Sequence, residues 1–193
     1  MSTPEEREEA RRRRALELLS ELRVVERLSA LGPVEITGGV AHRLTVAHDI
    51  DIDVTVDELD AHACLAVMAD LAGDPRVKRV VFRNDATTYG WLAFDIAVED
   101  WAIELYVSTP RASCFGWTAE LARLFADMLD REQRRAILEL KEALAGDHDY
   151  RSMDVYRAVV DDGVRDLDEF LRWRAECGSA ELARWLPDTV SRT

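Results

Sequence analysis

Apolar residues recur at helical spacing near the start of the chain, where Leu16, Leu19, Leu22 (or Val25) and Leu28 share one face. Thr3 suits an N-cap, Pro4 the first helical position, and Glu6 completes a capping box. One helix is therefore predicted over about residues 3–31, stopped by Gly32-Pro33. From Val34 the period shortens to two. Val34-Glu35-Ile36-Thr37 reads as a short strand, and Asp49 to Val56 as a second in which Ile50, Ile52, Val54 and Val56 mark the apolar side. Asp57 is placed to cap a helix carrying Leu59, Ala63, Val67 and Leu71, closed by Gly73. Three more strands are expected near Val77–Arg83, Gly90–Val98 and Trp101–Val107. Beyond residue 117 the spacing is helical again, with Thr118, Asp166 and Ser179 as candidate caps and Gly146, Gly163 and Gly178 as candidate stops. The chain thus divides into an N-terminal helix (1–32), an α/β core of four to five strands (33–117) and a C-terminal helical region (118–193).

Composition narrows the class. With 48% hydrophobic and 33% charged residues the chain reads as soluble and globular, and 193 residues suffice for a sizeable core. Its apolar runs fall far short of the roughly 20 residues a membrane span requires, so no membrane partner is expected. The polar opening Thr3-Pro4-Glu5-Glu6 does not read as a signal peptide. Cys64, Cys114 and Cys177 are odd in number and far apart, which argues against a disulfide framework or structural zinc and suits a reducing cytoplasm. The net charge is −13, and the one dense basic run, Arg11-Arg12-Arg13-Arg14, follows Glu5, Glu6, Glu8 and Glu9, so intrahelical ion pairs are expected there. Long nucleic acid is therefore not an expected partner. A small nucleotide is compatible, since a metal can screen its phosphates.

The chemistry gathers on the second strand. Alternate side chains share a face, so Asp49, Asp51 and Asp53 point one way while Ile50, Ile52 and Val54 point the other. Strands avoid aspartate, and a merely solvated face would use threonine, lysine or arginine. Carboxylates two positions apart lie about 6–7 Å between α-carbons, close enough to share one divalent ion. Hard oxygen ligands of this kind suit magnesium. If Glu99-Asp100 is a two-residue turn, the apolar faces of the last two strands coincide and Asp95 falls directly opposite Glu104. Facing carboxylates destabilise a sheet unless something intervenes: a metal, Arg43 or Arg83, or a raised carboxyl pKa. Gly38-Gly39, ten residues ahead of the acidic strand, allows backbone amides to approach an anion.

Taken together, Gly38-Gly39-Val40-Ala41-His42-Arg43-Leu44 and His48-Asp49-Ile50-Asp51-Ile52 resemble the signature of the DNA polymerase β-like nucleotidyltransferase superfamily, over about residues 34–107. Its small antibiotic-modifying and minimal members have a similar size and a helical tail. The resemblance implies a mixed sheet of α+β type and the cofactor Mg2+ held by Asp49, Asp51 and Glu104. It also implies nucleotide contacts from Gly38, Gly39 and Arg43, and a catalytic role for Glu104, with Asp95 as the alternative acid. The expected reaction moves a nucleoside monophosphate from an NTP to a hydroxyl of a small-molecule acceptor. The alternatives are an inactive nucleotide-binding module and a toxin-like enzyme acting on RNA or protein. Two departures bear on activity: Gly39 stands where serine is common, and Arg43 where a second glycine is common.

Other residues carry weaker signals. His42, His48, His62 and His148 lack metal-ligand spacing and read as surface or locally bonded, with His48 set apart by its place beside Asp49. Trp91, Phe94 and Trp101 read as core, and Tyr150, Tyr156, Phe170 and Trp173 as helix-packing residues. Tyr106 shares the Glu104 face. Ser113-Cys114 has no histidine partner at hydrolase spacing.

Overall fold

The computed structural model describes residues 2–112, 116–147, 149–177 and 185–187. Thr3 caps helix α1 (Pro4–Glu21), and the reciprocal bond from Glu6 completes the capping box. The apolar run does not continue as one helix. Arg23 adopts a left-handed conformation (φ 53°) and starts a separate short helix α2 (Val24–Leu28). Neither glycine nor proline marks this break. It lets Leu18, Leu19 and Leu22 before it, and Val24 and Leu28 after it, all reach the core.

Strand β1 (Val34–Thr37) leads into a helical turn, α3 (Gly38–His42), and then into β2 (Asp49–Thr55). Helix α4 (Ala61–Ala72) is capped by Asp60, which accepts from the amides of His62 and Ala63; Asp57 lies too early for that role. Strands β3 (Val77–Asp85), β4 (Trp91–Val98) and β5 (Trp101–Ser108) complete a mixed sheet of five strands in the order β1-β2-β5-β4-β3. Only β2 and β5 run parallel. Among the described residues four helices follow: α5 (Trp117–Met128), α6 (Arg131–Ala143), α7 (Ser152–Val160) and α8 (Leu167–Cys177). Asp166 accepts from the Glu169 amide at the head of α8, and Gly146 and Gly163 take positive φ after α6 and α7. Cys114, Ser113, His148, Gly178 and Ser179 lie outside the described residues.

The sheet has two chemically distinct faces. Ile50, Ile52 and Val54, with Phe94, Ile103 and Leu105 beside them, are fully buried against α1, α2 and α4. The opposite face carries the acids. A second apolar cluster joins α5–α8 and reaches the sheet domain through Leu44. Helix α1 links the two clusters. Arg7 and Arg11 both grip Glu142 of α6, and Arg14 holds Glu21 and Glu99. The arginine run therefore pairs within α1 through Arg14 with Glu17 and Glu21, and with other elements through Arg11, Arg12 and Arg14, rather than with the upstream glutamates. Among the described residues no helix is long and apolar enough to cross a membrane.

Candidate active site

The alternation of β2 fixes the first part of the site: Ile50, Ile52 and Val54 are buried, so Asp49, Asp51 and Asp53 stand together on the other face, half-buried. The parallel register then sets Asp49 beside Ala102, Asp51 beside Glu104 and Asp53 beside Tyr106. Across the hairpin, Val98 pairs with Trp101 and Asp95 faces Glu104. Its turn residue Glu99 takes φ 52°, and Lys78 donates to its carbonyl at 2.6 Å. Asp51, Glu104 and Asp95 thus form a row across three strands, with about 5 Å between neighbouring backbones.

The members of the row differ in their surroundings. Arg83 donates to the Asp95 carboxylate at 3.3 Å, and the Tyr106 hydroxyl donates to Glu104 at 3.4 Å. Burial, then Asp49, Glu104 and Asp53, push the Asp51 carboxyl up from 3.8 to about 7, opposed by Lys141. Burial, then Asp95 and Asp49, also raise Glu104, while Tyr106 and Arg83 pull it down. Two of the remedies foreseen for facing acids, Arg83 and a raised pKa, are both present.

The two glycines do different jobs. Gly38 takes φ 59°, and a β-carbon there would lie 1.7 Å from Oδ2 of Asp51. Only glycine permits this close approach. Gly39 has no such constraint, because a β-carbon there would meet nothing nearer than 3.6 Å. Arg43 closes α3 in a left-handed conformation and lines a cavity between α1 and α6 with Glu5, Glu8 and Arg134. The cation that bears on Asp51 is instead Lys141.

Lys141 is buried on α6 and donates to the Leu44 carbonyl at 2.7 Å and to the Tyr156 hydroxyl at 3.3 Å. Arg134, one helical face along, donates to the carbonyls of His42 and Arg43. These bonds fasten the segment behind the glycines to the helical region. Tyr156 and Tyr150 both have hydroxyl pKa values raised, chiefly by burial, with contributions from Asp49 and, at Tyr156, Asp51. The packing reading of these tyrosines holds, and the charge of the acids reaches both hydroxyls. Sequence reasoning did not single out Lys141, since its place depends on how α6 docks some 90 residues after Asp51.

One histidine departs from expectation. His42 is buried, edge-on to Phe125 and Tyr156 at 5.2 and 5.8 Å, and burial followed by Lys141 pushes its pKa down to about 4. His48 keeps to the surface reading, pairing with Asp100 at 2.9 Å and stacking on Trp101. Thr118 sits inside α5, whose cap is Gly116, and donates to Asp53 at 2.8 Å.

Among the described residues no three ligating side chains are already drawn together as a metal site. The donor set nevertheless fits a hard divalent cation: Asp49, Asp51 and Glu104 offer only carboxylate oxygens, and their mutual repulsion favours a counter-charge.

No known protein family and no curated protein matches the sequence. Solved structures do share its fold. The GLD-2–GLD-3 non-canonical poly(A) polymerase complex superposes with a TM-score of 0.54 at 13% identity, covering 97% of this chain and 62% of that one. A cytoplasmic RNA terminal U-transferase gives 0.56 at 15% identity, covering 77% and 44%. The poly(U) polymerase Cid1, bound to MgATP, gives 0.57 at 13% identity, covering 78% and 50%. The chain therefore spans less than two thirds of the length of each. These poly(A) and poly(U) polymerases belong to the DNA polymerase β-like nucleotidyltransferase superfamily, and the fold of this chain is of that nucleotidyltransferase type.

Proposed function

We propose that the acidic face of β2 and β5 performs nucleotidyl transfer. The observation that carries this reading is the pairing of Asp51 with Glu104 on adjacent strands, with the Gly38 backbone pressed against the Asp51 carboxylate. Asp49, Asp51 and Glu104 would hold Mg2+, which when bound neutralises the phosphate charge and polarises the phosphorus centre. The backbone of Gly38 and Gly39 would meet the nucleotide phosphates, and Lys141 supplies a buried positive charge on the same side. An acceptor hydroxyl attacks the α-phosphorus, its proton passing to Glu104 or, in second place, Asp95, and pyrophosphate leaves. Arg83 fits Asp95 better to orient and balance the row than to take a proton.

The acceptor proposed is the hydroxyl of a small molecule. RNA is the second reading, favoured because the structures that share the fold are named for polymerisation or uridylylation of RNA. The test is a thermal shift with ATP, GTP, CTP and UTP, with and without Mg2+, followed by pyrophosphate release with small alcohols and with RNA oligonucleotides. Stabilisation that needs both metal and nucleotide is expected. Its absence in well-folded protein refutes the proposal, and binding without pyrophosphate release identifies a regulatory copy.

A further inference from the structure

Beyond the acid row, on the same sheet face, lies a cavity of about 300 Å³ whose chemistry is distinct from that of the phosphate side. Tyr106 and Asp53, opposite each other in the β2–β5 register, form its floor. Trp91 stands edge-on to Tyr106 at 6.0 Å, with Tyr89 stacked behind it at 4.9 Å. Trp117 at the start of α5 adds a third ring, and Glu35 faces Asp53 from β1.

The charges are one-sided. Glu35 and Asp53 oppose each other across β1 and β2, and the hydrogen bond to Asp53 comes from the uncharged Thr118 hydroxyl. Among the described residues lining the cavity none is lysine or arginine. Three aromatic rings around two carboxylates select a cation, through attraction to ring faces and to the acids together. The same walls repel a phosphodiester chain, which depends on basic contacts for most of its affinity.

We propose that this cavity binds a small, ring-bearing, amine-carrying alcohol, and that this compound is the acceptor. The acceptor role rests on the nucleotidyl-transfer reading; the binding does not. The Tyr106 hydroxyl joins the cavity floor to Glu104 at 3.4 Å, so a ligand lying on the ring has its hydroxyl within the neighbourhood of that carboxylate. In the transfer, the ligand oxygen bonds to the α-phosphorus, the bond from phosphorus to the pyrophosphate oxygen breaks, and pyrophosphate keeps that electron pair. The hydroxyl proton goes to the Glu104 carboxylate.

Three phenols of one size and different charge test the selection: tyramine (positive), 4-ethylphenol (neutral) and 4-hydroxyphenylacetate (negative), titrated calorimetrically into the whole chain near pH 7. Tyramine is expected to bind at least tenfold more tightly than either of the others. Exposed Glu35→Gln is expected to cut that preference at least threefold, and Trp91→Leu to weaken tyramine binding about fivefold. Equal binding of the three, no binding, or a tyramine preference untouched by Glu35→Gln overturns the proposal, as does displacement of tyramine by a short oligo(U). Thermal shift with Mg2+ and NTP on the same samples separates the two ideas. Tyramine binding without a nucleotide shift leaves the cavity standing and removes nucleotidyl transfer, whereas a nucleotide shift without tyramine binding does the reverse.

Discussion

Replacing Asp51 with asparagine should make the metal-free protein more stable at pH 8, not less. The Asp51 carboxyl is lifted from 3.8 to about 7, first by burial and then by Asp49, Glu104 and Asp53. At 1.36 kcal/mol per pH unit that lift corresponds to about 4 kcal/mol as an upper bound. The residue is only half-buried, so solvent screens part of the repulsion and about 2 kcal/mol is the expected gain. For a chain of this size that is roughly 4–8 °C in Tm. The sign follows from linkage. A carboxyl with a raised folded-state pKa binds protons better when folded, so the stability it lends is present below 3.8 and lost as pH rises through 7. Asparagine has no such loss.

The assay is a set of thermal melts of wild type and Asp51→Asn in EDTA at pH 8, 6.5 and 5, repeated with Mg2+ and ATP. The variant should melt higher at pH 8, with the gap narrowing toward pH 5. It should gain much less than wild type from Mg2+ and nucleotide. A lower Tm for Asp51→Asn at pH 8 in EDTA would show the acid to be a structural member of the strand and refute the reasoning.

Four further outcomes are expected. Gly38→Ala should cost about 2 kcal/mol or more, from a left-handed backbone worth about 1–2 kcal/mol and from the clash with Asp51; adding Asp51→Ala should recover the clash part in urea melts. Gly39→Ser should stay within about 1 kcal/mol of wild type in the same melts, because its β-carbon has room. Lys141→Met should weaken Mg2+-dependent nucleotide binding about tenfold by calorimetry, since a buried cation whose charge lowers the Asp51 carboxyl is lost; unchanged affinity would remove Lys141 from the nucleotide side. His42→Phe should flatten the acid limb of stability: burial holds His42 near 4 against 6.5 unfolded, so up to about 3 kcal/mol present above pH 6.5 is lost as pH falls toward 4, and a variant profile parallel to wild type from pH 4 to 7 would overturn this.

What the sequence disclosed was local. Period-two patterning located all five strands, and a two-residue turn at Glu99-Asp100 was enough to set Asp95 opposite Glu104. Both follow from neighbours in the chain. The parallel pairing of β2 with β5 does not, because the two strands are joined through α4, β3 and β4, and nothing in either strand states its partner. That pairing sets Asp51 beside Glu104. Lys141 was hidden for the same reason, and motif position did not disclose that Arg43, a left-handed cap, would line the cavity between α1 and α6. The breaks at Arg23 and the cap at Asp60 were missed for a smaller reason: left-handed arginine carries no sequence mark, and Asp57 and Asp60 are equally good caps until the chain path is known.

The two perturbed groups nearest the glycine motif also act against each other. Between about pH 4 and 6.5, Asp51 makes the folded state take up protons while His42 makes it shed them. Their slopes have opposite signs, so each single replacement should tilt the wild-type profile in its own direction. The strand itself survives the acid repulsion because its other face is so well packed. Ile50, Ile52 and Val54 are each fully buried, at roughly 1.5–3 kcal/mol apiece, which exceeds the cost assigned to Asp51. An apolar underside that over-stabilises β2 is what allows its upper face to hold carboxylates that a cation, rather than the fold, must satisfy.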